Sequence, residues 1–155
     1  MKIGQEQGTG FFCKIPFPGK KNMLPVFITN NHLINEEALN NGKISIKIKK
    51  YLESKTINFD NRMTYSNKDY DITIIEIKKK DKIYDYLELD DYIIDDILNN
   101  KNLNEEFIDK TIYILQYPEG ELSISYGILN SICLDKKYNF NHKCNTKGDH
   151  QVHQY

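Results

Sequence analysis

Apolar and polar residues alternate along much of this chain with the period of two that marks strands whose two faces meet different surroundings. The clearest case is KISIKIKKY, from Lys43, where Ile44, Ile46 and Ile48 fall on one face and Ser45, Lys47 and Lys49 on the other. That pattern predicts a half-buried antiparallel strand. GTGFFCKI, from Gly8, is a short apolar run opened by glycines. MLPVFIT, from Met23, is a second, with Pro25 early in it, where a strand tolerates proline best. DITIIEIKK, from Asp71, predicts another strand, ending in a lysine-rich turn at Lys78 to Lys82. Strands resume at KTIYILQYP, from Lys110, and ELSISYGILNSI, from Glu121, with Pro118 to Gly120 as the turn between them. YNFNHKCNT, from Tyr138, is expected to supply a last strand.

The alternation loosens from Leu87 to Phe107, an acidic, Asn-rich stretch in which Ile93, Ile94, Ile97 and Leu98 would suit one or two amphipathic turns. It is expected to connect two sheet units. The organisation predicted is a first unit over 1–86, a connector over 87–109, a second unit over 110–147 and a tail over 148–155. Many short, regularly spaced strands predict an all-β fold, a sandwich or a pair of barrels.

Length allows either arrangement: 155 residues make one ordinary domain or two small barrels sharing an interface. The formal net charge is -1, and lysines are interleaved with acids, so the charge reads as solvated surface and no nucleic-acid partner is expected. No apolar run approaches the roughly 18 residues that span a membrane, and MKIGQEQGTG lacks the apolar centre of a signal peptide. No membrane partner is expected. Three cysteines, Cys13, Cys133 and Cys144, stand far apart without a CxxC pair, which favours a reducing, intracellular setting over a disulfide framework.

Candidate chemistry begins at VFITNNHLI, Val26 to Ile34, where a strand ends in a polar turn carrying His32. An imidazole titrates near neutrality, so it can take a proton from a hydroxyl and return it to a leaving amine. To do so it must be held in one tautomer by a buried carboxylate on its other nitrogen. Asp71, at the head of an apolar strand, is a good site for a carboxylate half-shielded from water; Asp69, on the same side of an alternating strand, competes with it, but Asp71 abuts the ITII run. Taken singly, His32 reads as a surface or packing residue and Asp71 as a turn former. Cys13 lies inside a strand ahead of the histidine and reads as a buried thiol acting as a small hydrophobe, with a nucleophilic role as the alternative.

In this order the residues carry a resemblance. GTGFFCKI, a gap, then VFITNNHLI is similar to the opening of trypsin-like serine proteases, nearest to the HtrA-type pattern in which a GSGF-like strand precedes a TNNH turn. DITIIEI resembles that family's aspartate-headed strand, and TIYILQYP and SISYGIL resemble early strands of its second barrel. The likeness runs from about Gly8 to Thr146. It implies a trypsin-like double β-barrel with the first barrel nearly complete. It also implies a serine endopeptidase acting on a peptide or protein substrate without a cofactor, with His32 as general base and Asp71 as its orienter.

The chain departs from the family at the nucleophile. No Gly-x-Ser-Gly occurs in it, and Ser123, Ser125 and Ser131 sit in or beside a strand, while Ser54 and Ser66 are no better suited. The expectation is therefore a second barrel truncated before the serine and its oxyanion loop, and a polypeptide inactive in hydrolysis. The alternative is a non-catalytic, protease-like module that binds peptides or partners through strand edges. In the tail, His142, Cys144, His150 and His153 have the ligand types zinc prefers, at a spacing no common zinc module uses, and no metal is expected. A different account of GDHQVHQY, Gly148 to Tyr155, comes from the genetic code. Read two bases later, its codons permit Gly-Ser-Ser-Gly-Ser-Pro-Ile, a loop of the nucleophile's form where the nucleophile is due.

Overall fold

The computed structural model describes residues 8–19, 21–40, 42–48, 53–90, 107–117, 121–133 and 139–144. These residues form an all-β chain of antiparallel strands with a short α-helix and a 3₁₀ turn, and the chain divides into two compact units, Met1–Leu89 and Asp90–Tyr155.

In the first unit, β1 (Gly10–Pro16) and β2 (Met23–Thr29) form a hairpin in which Cys13 pairs with Val26. Helix α1 (Glu36–Asn40) follows, then a second hairpin of β3 (Lys43–Ile48) and β4 (Glu53–Asn58), then β5 (Thr64–Asn67) and β6 (Ile72–Glu76). The sheet order is β1-β2-β6-β5, with β3 and β4 paired to each other. The alternation read from β3 is the alternation found, with Ile44, Ile46 and Ile48 turned inward and Lys43, Ser45 and Lys47 exposed. Gly10 is required by packing: a Cβ there would lie 2.4 Å from the Phe27 ring and 2.7 Å from the Ile28 carbonyl oxygen.

One core holds this unit together. Phe27, Ile34, Ile57, Phe59, Ile75, Ile77 and Ile83 are buried in it, and the inward isoleucines of β3 pack against the same cluster. Among the described residues the strands do not close into a barrel. The four-stranded sheet and the β3–β4 hairpin share a core without sharing a ladder. Outside β1, the Leu87 amide donates to the Phe12 carbonyl at 2.8 Å, so a loop runs beside part of that edge.

Three elements go beyond the pattern. β4 and β5 (ESKTIN and TYSN) are mostly polar, and their strand geometry comes from pairing with β3 and β6. Helix α1 begins where the Asn35 side-chain oxygen accepts the Ala38 amide at 2.9 Å, with Glu36 and Glu37 in its first turn.

In the second unit, β7 (Thr111–Gln116), β8 (Ser123–Cys133) and β9 (Asn139–His142) form a three-stranded meander with an irregularity between Leu129 and Ser131. The turn predicted at Pro118 to Gly120, the turns predicted through Ile93 to Leu98 and the tail over 148–155 lie outside the described residues.

Candidate functional site

The register of β2 against β6 builds this site. The two strands are antiparallel neighbours with Thr29 opposite Thr73, so the chain just beyond the end of β2 lies beside the chain just before β6. Asn30, Asn31 and His32 occupy the first position and Asp71 the second. The turn bearing His32 is tied down from the far side by Ile34, which is buried in the core, and by backbone bonds from Leu33 and Ile34 to the Asn30 carbonyl, both 3.2 Å. A histidine at a strand end is thus placed rigidly while its ring remains accessible.

Asp71 receives His32 twice. The His32 backbone amide donates to Oδ1 at 2.9 Å, and the ring Nδ1 lies 2.7 Å from Oδ2. An ionised carboxylate only accepts, so Nδ1 carries the proton in this bond and Nε2 is left with the lone pair. Asn30 adds a third donor, its amide reaching Oδ2 at 3.0 Å and the Asp71 carbonyl at 3.4 Å. Partial withdrawal from water would by itself raise the Asp71 carboxyl. The hydrogen bonds from the His32 amide and ring and from Asn30, with the charge His32 can carry, outweigh it and hold the group below the usual carboxylate range. Against the expectation of a buried carboxylate, the pair is open to solvent, with the His32 side chain 57% and the Asp71 side chain 44% exposed. Asp71 also has φ 49°, in the left-handed region, where aspartate is among the few non-glycine residues commonly found.

Asn31 points into a separate chain of bonds. Its amide donates to Ser66 Oγ at 2.6 Å, the Ser66 hydroxyl lies 3.2 Å from that of Thr73, and Thr73 donates to the Ile34 carbonyl at 2.6 Å. Because Thr73 spends its proton on Ile34, Ser66 donates to Thr73, and the relay links β5, β6 and the His32 turn. Beside it, Asn31, His32, Asn35, Lys68 and Asp71 line an open depression of about 440 Å³.

The structure therefore brings His32 and Asp71 together. Asp69 is not on an alternating strand; it stands in the exposed turn before β6, where its amide and that of Tyr70 donate to the Asn67 side-chain oxygen at 2.9 and 3.1 Å. Cys13 is fully buried in β1, and burial pushes its thiol up, away from the reactive thiolate. Ser123, Ser125 and Ser131 are residues of β8, and Ser125 accepts the Gln116 amide at 3.0 Å. Among the described residues no group of His, Cys, Asp and Glu is placed to hold a metal ion. His142 accepts the Cys144 amide at 3.2 Å, while His150 and His153 lie outside the described residues. No helix among the described residues is long and apolar enough to cross a membrane.

Sequence reasoning missed Asn30, whose signal is the Asn-Asn pair before the histidine, and it missed the clamp at the other end of β6. There Arg62 forks onto both oxygens of Asp81 at 2.6 and 2.7 Å and also donates to the Glu76 carbonyl at 2.9 Å. Comparisons with protein-family models, with curated proteins and with solved structures found no match.

Proposed function

We propose that this chain is a serine-endopeptidase-like protein in which His32 is the general base and Asp71 the carboxylate that orients it, on a fold derived from the trypsin-like double barrel. The observation that carries the reading is the 2.7 Å bond between His32 Nδ1 and Asp71 Oδ2 at a solvent-open depression. It commits the proton to Nδ1 and leaves Nε2 to accept one, as peptide-bond hydrolysis by a His-Asp-Ser triad requires. The antiparallel sheet and hairpin around one core in the first unit support the fold side of the reading.

The polypeptide itself is proposed not to hydrolyse peptides. Acyl transfer needs a nucleophile and an oxyanion site, and no Gly-x-Ser-Gly segment is present to supply them. That absence favours a second reading, a protease-like module that binds peptide or protein without cleaving it.

A serine-directed fluorophosphonate probe tests both. The 155-residue protein is expected to remain unlabelled and to leave a fluorogenic peptide intact. A version whose codons from Gly148 onward are read two bases later, through whatever that frame encodes, is expected to take up the probe. Its labelling rate should fall by roughly 10³–10⁴-fold with His32→Ala or with Asp71→Asn. Robust hydrolysis by the unaltered protein, abolished by His32→Ala, would show that a nucleophile has been overlooked. An extended version that stays unlabelled would leave the binding module as the better account.

A further inference from the structure

We propose that Asn30 is a positioning residue for the His32–Asp71 pair, holding the Asp71 carboxylate in the one orientation that fixes His32 in its Nδ1-protonated tautomer. The inference rests on reading His32 as a base, but its geometry stands separately. Three donors converge on Asp71: the His32 amide on Oδ1 and both the His32 ring and the Asn30 amide on Oδ2. The two His32 bonds come from the residue being positioned. Asn30 is the side-chain donor to the carboxylate that comes from a residue other than His32.

Asn30 suits this task because of where it stands. It is the first residue past β2, and its backbone carbonyl accepts the amides of Leu33 and Ile34, each at 3.2 Å, so its backbone is fixed by the turn it opens. Its side-chain amide then spans to the head of β6 and meets both the carboxylate (3.0 Å) and the carbonyl (3.4 Å) of Asp71. Asp71 is the residue in left-handed conformation there, so the same amide stabilises the backbone turn and the side-chain rotamer. With the Asp71 carboxylate 44% exposed, water competes for it, and a fixed donor decides which oxygen faces the imidazole. Lys68 is the other charged group lining the depression. Asn31 turns its amide to Ser66 instead.

Nuclear magnetic resonance on the intact chain tests this without any catalytic assay. In the wild-type protein the imidazole nitrogen shifts of His32 are expected to report the Nδ1–H tautomer, and the Asn30 side-chain amide signals should move as Asp71 titrates. Asn30→Ala is expected to preserve the backbone spectrum, raise the pH at which Asp71 titrates, and move His32 toward the Nε2–H tautomer that an unconstrained histidine side chain prefers. If Asn30→Ala keeps both the Nδ1–H tautomer and the Asp71 titration of the wild type, the inference is overturned. Should that variant fail to fold, the wild-type titration decides alone, because Asn30 amide signals indifferent to Asp71 would equally refute it. A wild-type His32 already in the Nε2–H form would remove the base reading as well. An intact pair with a silent Asn30 removes only the positioning role.

Discussion

Arg62→Ala is expected to be among the most damaging single changes in the first unit. The Arg62 and Asp81 side chains are 1% and 7% exposed, so this ion pair is buried, unlike the His32–Asp71 pair. Arg62 donates to both Asp81 oxygens and to the backbone carbonyls of Asn58 and Glu76, so one side chain joins the end of β4, the end of β6 and the 3₁₀ turn at Lys79–Asp81. Truncation leaves two carbonyls without this donor, and the Asp81 carboxylate keeps the Lys78 amide, 2.7 Å away. Removing one partner of a buried pair costs about 3–5 kcal/mol, against a total stability of about 5–15 kcal/mol for a domain. With a urea slope of about 1.5–2 kcal/mol/M, the unfolding midpoint should fall by roughly 2 M. Burial alone would raise the Asp81 carboxyl, but the Arg62 fork, the Lys78 amide and the positive charges of Arg62 and Lys80 hold it below the usual carboxylate range. A lowered folded value means the contribution is fully present above the unfolded value, near pH 4, and is lost as pH falls through the folded one. Urea titrations at pH 7 and at pH 3 should therefore show a smaller Arg62→Ala penalty in acid. The double change Arg62→Met with Asp81→Leu should recover much of the loss, since an apolar pair has no stranded charge. A penalty under 1 kcal/mol at pH 7, or one that grows in acid, would refute the reasoning.

Asp71→Asn should flatten the acid limb of the stability curve, because the Asp71 carboxyl, also held low, contributes above about pH 4 and ceases to as pH falls through its folded value; urea melts from pH 2 to 6 read this directly. Ile75→Ala, at a fully buried position of the central strand β6, is expected to cost about 2–5 kcal/mol in urea or thermal unfolding followed by circular dichroism. Gly127→Ala would bring a Cβ to 2.2 Å from the Lys143 carbonyl oxygen, so the β8–β9 ladder must open; faster hydrogen exchange at the Lys143 amide, which donates to Ile128, is the expected sign.

What could be read in the sequence and what could not divide along a physical line. The inward isoleucines of β3 announce their face because burial selects every second residue, and a hydrophobic alternation needs no knowledge of the partner strand. β4 and β5 carry little such signal: ESKTIN offers Ile57 as its one strongly apolar residue, and its place comes from pairing with β3. His32 and Asp71 could be singled out by residue type and position, since each stands at the edge of an apolar run. That they meet follows from Thr29 facing Thr73, a register linking strands more than forty residues apart that no local pattern encodes. Asn30 and Arg62 were hidden for the same reason. Asparagine after a strand looks like a turn residue, and arginine between an Asn and a Met looks like surface, until the ladder brings Asp71 to one and Asp81 to the other. The two residues then act on opposite ends of one strand. Asn30 bonds the residue just before Ile72, and Arg62 bonds the carbonyl of Glu76, so β6 is fixed at both ends by long-range polar contacts as well as by the burial of its own Thr73 and Ile75. A carboxylate at the head of a strand fixed this way keeps its position even where its side chain meets water, which an open His–Asp pair needs in order to hold one tautomer.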